Sequence, residues 1–214
     1  MQAGKIYSRP MAGEICRISS YHVFGAQHVR YGRTQDHGRN RQSTGTLSRD
    51  EVTTLVGDLQ KYLSELRAIP KEVSPKYAIT NALGKACYDG RLITGSDYDE
   101  ARRDFFGRFV DENDFNNTLQ FIALSNAIHR SGHEIVFTHG DLNMRNIMMH
   151  NGRLSGFIDW ETCGWFPDYR DYTKAHFITK IRRRWLRIVD TVFGKLGNFE
   201  AELAVERQLW WYCY

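Results

Sequence analysis

Cysteine and proline are both scarce in this chain, which has four residues of each among 214. The cysteines, at positions 16, 87, 163 and 213, are far apart and form no CxxC pair. Such spacing argues against a disulfide framework and against a structural zinc site. We therefore expect reduced thiols and a cytoplasmic protein.

Long apolar runs are also missing. No stretch approaches the roughly 18 apolar residues that a membrane-spanning helix needs, and the first residues lack the apolar core of a signal peptide. The sequence therefore predicts neither export nor a membrane partner. The net charge of +4 is only a weak argument for an anionic ligand.

The first 46 residues differ in composition from the rest. They are rich in Gly, Arg, Ser, Gln and His and show little hydrophobic periodicity. We predict a poorly ordered or divergent N-terminal segment over residues 1–46, followed by one structured unit over residues 47–214. The arginines between His28 and Arg49 are interleaved with one aromatic residue, Tyr31. A solvated tail is therefore favoured over a basic arm, and no nucleic-acid partner is expected.

Regular structure is predicted to begin at Ser48, where Ser48 and Glu51 have the spacing of a helix capping box. Apolar residues follow at three- and four-residue intervals until Pro70, as in a core-packing helix. Residues 71–95 are predicted to be loop. A second helix is predicted from about residue 96 through Phe105, Phe106 and Phe109.

A third helix is predicted from about Asp114 to His129. Its last residue and His133 are four positions apart, a spacing that suits a metal ion. Gly132 lies between them and no carboxylate flanks them in the manner of a zinc protease motif. Two surface histidines are the favoured interpretation.

Short strands are predicted in the middle of the chain. Ile135–Thr138 has the pattern of a buried strand, and residues 147–150 and 153–158 flank Asn151–Gly152. Asn-Gly between apolar runs is the strongest two-residue signal for a β-hairpin. From Pro167 onward the pattern is helical again.

Three polar residues lie at the ends of these strands: Asp141 after the first, Asn146 before the second and Asp159 at the end of the third. Hairpin pairing would bring Asn146 and Asp159 together, with Asp141 in the entering loop. Mg²⁺ prefers carboxylate and amide oxygens and is completed by substrate phosphates. Asn146 and Asp159 are thus candidate metal and cofactor-binding residues, and Asp141 a candidate base for phosphoryl transfer.

The segment HGDLNMRNIM followed by GFIDWE resembles the catalytic and metal loops of the aminoglycoside phosphotransferase and choline kinase family. The resemblance implies an α+β, mostly helical fold, the C-terminal lobe of a protein-kinase-like architecture with a hairpin at the active site. It also implies an ATP- and Mg²⁺-dependent kinase in which Asp141 is the catalytic base and Asn146 and Asp159 bind magnesium. His139 would hold the catalytic loop, and Glu161 would orient the metal loop or face substrate.

The first lobe of a kinase carries a glycine-rich loop and a strand lysine. The 44 residues before Gly45 contain one lysine, Lys5, and no such loop. We therefore expect a truncated or substituted nucleotide lobe, weak binding of ATP with Mg²⁺ and slow or absent turnover. Self-association through the exposed lobe interface is also expected. Two function classes remain open: a small-molecule kinase, or a non-catalytic remnant acting as a pseudokinase-type interaction module. A metallophosphatase would need further His and Asp motifs.

The acceptor is not specified by these motifs. An amine or amino sugar would suit acidic residues near the C-terminal helices. Asp168, Tyr169 and Asp171 are candidates to line an acceptor pocket, and a solvated first helical turn explains the two acids equally well. Trp160 and Trp165 are predicted to lie in the core.

Overall fold

The fold was analysed in a computed structural model, which describes residues 47–89, 105–122, 129–178 and 182–210. The predicted N-terminal segment, residues 1–46, lies outside the described residues. Within the described ranges the structure is mixed α+β, with five helices and small antiparallel sheets. None of these helices has the length and apolarity needed to cross a membrane.

The elements follow one another along the chain as α1 (Arg49–Arg67), β1 (Thr80–Asn81), β2 (Cys87–Tyr88), β3 (Phe105–Phe106), α2 (Glu112–Ile122), β4 (Ile135–Thr138), β5 (Ile147–His150), β6 (Arg153–Phe157), β7 (Gly164–Pro167), α3 (Arg170–Ile178), α4 (Arg183–Phe193) and α5 (Glu200–Trp210). A short 3₁₀ helix, Met144–Asn146, leads into β5. The helical pattern predicted after Pro167 is confirmed by α3 and α5, and α4 between them was not predicted as a separate helix.

Helix α1 confirms the predicted capping box. The backbone N–H of Glu51 donates to Ser48 Oγ at 3.2 Å, and the N–H of Ser48 donates to Glu51 Oε2 at 2.8 Å. These two bonds satisfy donors that the first helical turn leaves without partners. The apolar stripe of α1 is buried at Leu55, Leu59, Leu63 and Leu66, against β4, β6 and α4.

The central sheet has the strand order β1-β7-β4 and is antiparallel throughout. Strand β7 is buried along its whole length, yet it was not predicted. Its four residues, GWFP, are bounded by Gly and Pro and are too few to show an alternating pattern. Trp160 and Trp165 are 2% and 1% exposed, which confirms that both lie in the core.

The predicted second helix is wrong where the structure describes it. Phe105–Phe106 form β3 and pair with Cys87–Tyr88 of β2, within a region otherwise predicted to be loop. Spacings of one and four residues among phenylalanines fit either a helix or a short hairpin, so periodicity alone did not separate them. Residues 90–104 lie outside the described residues.

The third predicted helix is α2, which begins two residues earlier than expected. Residues 123–128 are outside the described residues, and His129 beyond them is not helical. The interpretation of two surface histidines is also wrong. His129 is 4% exposed and stacks on Tyr169, with ring centroids 4.9 Å apart. His133 is largely buried between Glu112, at 2.6 Å, and Glu202, at 3.3 Å.

A buried ion pair joins α3 to the end of β2. Arg170 and Asp89 are each 1% exposed and form a salt bridge, and Lys174 lies 3.6 Å from the same carboxylate. The guanidinium of Arg170 also lies over the rings of Phe115 and Phe166. Buried charges require such compensation, so this pair fixes the start of α3 relative to β2, Phe115 and Phe166.

Strands β5 and β6 form the predicted hairpin. Asn151 and Gly152 have φ values of 50° and 73°, and positive φ at both central residues matches a type I′ turn. Ile147 pairs with Phe157, so the end of β6 returns to the start of β5. Asp58 of α1 accepts from Arg153 Nε at 2.8 Å and from the backbone N–H of Leu154 at 3.1 Å. These contacts attach the hairpin to the first helix.

Changing Gly152 to alanine is expected to destabilise the fold by about 1 kcal/mol, because a side chain disfavours its positive φ. No atom lies within 4 Å of the added Cβ, so only backbone strain contributes. Gly57 is the matched control: it is equally open but lies in the middle of α1, where alanine should stabilise by ~0.5–1 kcal/mol. Urea unfolding of both variants checks the prediction, which equal effects would contradict.

Candidate active site

The loop that leaves β4 carries the predicted catalytic residues. β4 is held in the central sheet by β7, and its last residues, Phe137 and Thr138, are fully buried. The chain then passes through His139–Asn143 into the 3₁₀ helix. Asn143 begins that helix, because its Oδ1 accepts from the backbone N–H of Arg145 at 2.9 Å. A rigid strand and a capped turn therefore define both ends of the loop.

His139 connects this loop to the segment after β6. Its Nε2 lies 2.9 Å from the carbonyl oxygen of Ile158, and its Nδ1 accepts from the backbone N–H of Asp141 at 3.2 Å. These contacts fit a neutral imidazole with its proton on Nε2. Complete burial lowers the pKa of His139, so the ring stays neutral near pH 7. The geometry supports the predicted role of a scaffold for the loop.

Asp141 and Asn146 are in direct contact. Asn146 Nδ2 donates to Asp141 Oδ2 at 2.7 Å and to the backbone oxygen of Asp141 at 3.0 Å. The carbonyl oxygen of Asn146 accepts from the N–H of Ile158 at 2.9 Å. Because Ile158 precedes Asp159, the hairpin brings the three predicted residues to one end, as their spacing suggested.

Asp159 lies two residues beyond β6 rather than at its last position, which corrects the predicted strand end. It has a φ of 65°, a left-handed conformation that Asp tolerates better than most residues. Partial burial raises the pKa of its carboxyl, and the nearby charges of Glu161 and Asp141 raise it further. Three carboxylates thus share one small region, and their mutual repulsion favours a bound cation.

The oxygen atoms of Asn146 and Asp159 suit a magnesium ion that is shared with a substrate better than a metal ion whose ligands all come from the protein. The described residues contain no group of three His, Cys, Asp or Glu side chains able to hold a metal ion. Mg²⁺ is usually held by one or two carboxylates together with substrate phosphates. Asp159 offers a carboxylate, and Asn146 keeps its Oδ1 for a ligand because Nδ2 is bonded to Asp141.

Comparison with protein-family models gives a match to the Phosphotransferase enzyme family over residues 10–201. This range includes the whole of the site described above. The chain belongs to this family. The resemblance to aminoglycoside phosphotransferases and choline kinases that the two loops carry is thereby confirmed.

One carboxylate beside this site is not where the sequence predicted it to be. Asp171, at the start of α3, is 2% exposed and accepts from the backbone N–H of His139 at 3.2 Å and of Gly140 at 2.7 Å. It therefore neither faces solvent nor lines a pocket, but holds the backbone of the loop that leaves β4. Gly140 has a φ of 80° and packs so closely on the carbonyl of Thr162 that a Cβ would clash with it. The position of Asp171 in a first helical turn does not indicate these bonds, because their donors, His139 and Gly140, lie 32 and 31 positions earlier in the sequence.

Tyr169 is fully buried and is likewise not a pocket residue. Asp168 lies beside Arg67, whose Nη2 donates to the Asp168 backbone oxygen at 2.5 Å. Burial raises the pKa of the Asp168 carboxyl, an effect that the charge of Arg67 partly offsets. Asp168 and Asp171 thus belong mainly to the framework that supports the loop leaving β4.

Replacing Asp171 with asparagine is expected to destabilise the fold by about 1–3 kcal/mol, since one of two buried N–H donors loses its charged acceptor. Loosening of the loop should also reduce kcat more than it changes KM. Thermal unfolding and steady-state kinetics measure the two effects. Asp50→Asn, at an exposed position in the first turn of α1, is the control. An Asp171 variant with unchanged kcat would show that the loop is held by other contacts.

Proposed function

We propose that this phosphotransferase moves the γ-phosphate of ATP to a hydroxyl group of a small molecule, with Mg²⁺ as its cofactor. The observation that carries the proposal is the contact between Asp141 and Asn146 beside the carboxylate of Asp159, whose pKa is raised by burial and by its acidic neighbours. In this arrangement Asp141 would be the base, and Asn146 and Asp159 would be the oxygen ligands, all at one end of the hairpin. Family membership supports phosphoryl transfer as the reaction class.

Asp141 would act as the general base. One of its oxygens, Oδ2, is oriented by Asn146, and Oδ1 makes no hydrogen bond with a described residue, which leaves it for the acceptor. The acceptor hydroxyl gives its proton to the carboxylate, and its oxygen forms a bond to the γ-phosphorus. The bond from that phosphorus to the bridging oxygen breaks, and ADP leaves with the electron pair.

Asn146 and Asp159 would hold the metal ion through Oδ1 and a carboxylate oxygen. A Mg²⁺ ion held by these two residues would supply the positive charge that neutralises the phosphate oxygens in the transition state. The left-handed backbone at Asp159 and the bond between Ile158 and Asn146 fix both ligands to the same hairpin. The hairpin would thus position both metal ligands as one unit. Such positioning matters because phosphoryl transfer depends on the placement of the reacting groups more than on covalent chemistry by the protein.

The acceptor that we propose is an amine or amino sugar. Asp141, Asp159 and the exposed Glu161 give this end of the hairpin a negative potential, which attracts a cation in addition to the metal. A protonated amine on the acceptor would be drawn to the same region as its hydroxyl.

The test is transfer of radiolabelled γ-phosphate from ATP to a panel of hydroxylated amines and amino sugars, with neutral polyols of matched size beside them. We expect labelled product with the amines only, and none after chelation of Mg²⁺. Hydrolysis of phosphate esters without ATP would contradict phosphoryl transfer to an alcohol. Absence of any transfer would favour the alternative, a non-catalytic interaction module.

A further inference from the structure

An arginine-rich groove lies between α1 and α4, away from the predicted catalytic residues. Its volume is about 450 Å³, within the range of small-molecule sites. Successive turns of each helix line it: Arg49, Val52, Thr53 and Val56 from α1, and Arg184, Arg187, Ile188 and Thr191 from α4. None of Asp141, Asn146 and Asp159 is among these residues, so the groove is a separate feature.

The two helices run side by side in the same direction. Arg184 Nη2 donates to the carbonyl oxygen of Leu47 at their first turns, and Gln60 Nε2 donates to the carbonyl oxygen of Thr191 at 3.2 Å further along. Parallel helices place both N-termini, and their partial positive charges, at one end of the groove. Arg49 and Arg184 lie at that same end.

Arg49, Arg184 and Arg187 supply the charged donors of the groove, and no acidic residue lines it. Thr53 and Thr191 donate their hydroxyl protons to carbonyl oxygens one turn earlier, at 3.1 and 2.7 Å, and therefore offer no proton to a ligand. Among the described residues, Arg49, Arg184 and Arg187 form no salt bridge. A ligand that fits must therefore supply acceptors and negative charge.

The sequence of α4 also indicates that the groove requires a negatively charged ligand. Arg182, Arg183 and Arg184 occupy the helix N-terminus, where cations are unfavourable, and the first turn has neither an acidic residue nor a side-chain cap. The first 46 residues of the chain contain only two acidic residues, Glu14 and Asp36, and so are poorly suited to neutralise this charge.

We propose that the groove between α1 and α4 binds a small organic phosphate that carries a short apolar group. The phosphate is held by the guanidinium groups of Arg49, Arg184 and Arg187, whose planar forks match phosphate oxygens. The apolar group lies on Val52, Val56 and Ile188, the apolar residues of the lining. A phosphate alone would leave the apolar residues of the groove without contacts, and an apolar group alone would leave the arginines without an acceptor. The ligand that matches the whole lining is therefore amphipathic.

Titration calorimetry with hexyl phosphate on the full chain, without ATP or Mg²⁺, tests this site. We expect binding that weakens with added salt, at least ~10-fold weaker binding of inorganic phosphate, and no binding of hexanol. Arg49→Gln/Arg187→Gln should weaken hexyl phosphate binding by ~10-fold or more, since charge-assisted hydrogen bonds are lost.

Lys61→Gln/Lys195→Gln is the control, because it removes the same charge from exposed positions on α1 and beyond α4 that do not line the groove. It should change the affinity less than threefold. Equal losses in both double variants would overturn the proposal, as would a failure of the wild-type chain to bind hexyl phosphate. Binding to anionic vesicles but not to soluble hexyl phosphate would also overturn it, in favour of a membrane surface. Loss of binding in Asp141→Asn would assign the ligand to the active site instead.

Discussion

Replacing Asp141 with asparagine is expected to lower kcat by roughly 100- to 10,000-fold, the usual contribution of a general base. The asparagine keeps an oxygen that can accept from Asn146 Nδ2, as Asp141 does at 2.7 Å, so the loop should keep its shape. What is lost is the basic oxygen that takes the acceptor proton. The KM for ATP should change little, because Asp141 is not among the proposed metal ligands.

Steady-state transfer kinetics and thermal unfolding are the measurements for this variant. Its Tm should stay within a few degrees of the parent. Asp50→Asn, at an exposed position in the first turn of α1, controls for a general change of charge and should keep full activity. A variant at Asp141 with undiminished kcat would remove that residue from the catalytic role.

Replacing Asp159 with asparagine is expected to lower transfer strongly and yet raise Tm. Asparagine tolerates the φ of 65° found at this position, so the backbone should not be strained. Burial, together with Glu161 and Asp141, raises the pKa of Asp159. For an acid with a raised pKa in the folded state, the stabilising contribution is present below its unfolded pKa and is lost as the pH rises through its folded pKa. At neutral pH the charge therefore costs stability, and the amide removes that cost.

Unfolding scans at two pH values separate this explanation from others. The gain in Tm should be largest near pH 7.5 and should shrink as the pH falls towards the ordinary Asp value of 3.8. Added MgCl₂ should raise the Tm of the parent chain more than that of the variant, because the ion relieves the same repulsion. A variant less stable than the parent at pH 7.5 would show that the carboxylate is structural.

Local chemistry made parts of this molecule predictable. The capping box at Ser48 and Glu51 and the Asn151–Gly152 turn each act through contacts between residues close in sequence, and both are present. The grouping of Asp141, Asn146 and Asp159 followed from the hairpin, because pairing of Ile147 with Phe157 closes it. The grouping of the candidate site residues could therefore be predicted from the sequence, because a single turn determines which of them meet.

Contacts between distant segments could not be predicted in this way. Strand β3 forms because Phe105–Phe106 meet Cys87–Tyr88, and the two pairs are 18 residues apart. His129 is buried by Tyr169, and Asp171 by the loop at His139. In each case the position of a residue depends on a partner far away in the sequence. The residues next to it in the sequence are polar or ambiguous and do not indicate that partner.

The hairpin between Asn146 and Asp159 has a consequence for how such chains vary. Its open end carries the two oxygen ligands, and its closed end, Asn151–Gly152, is exposed and contacts neither. Residues added in pairs, one to each strand, would lengthen the ribbon without moving its open end or reversing its faces. The separation of thirteen positions is thus a property of this ribbon's length and not of the chemistry. Searches for related enzymes should allow that gap to change in steps of two.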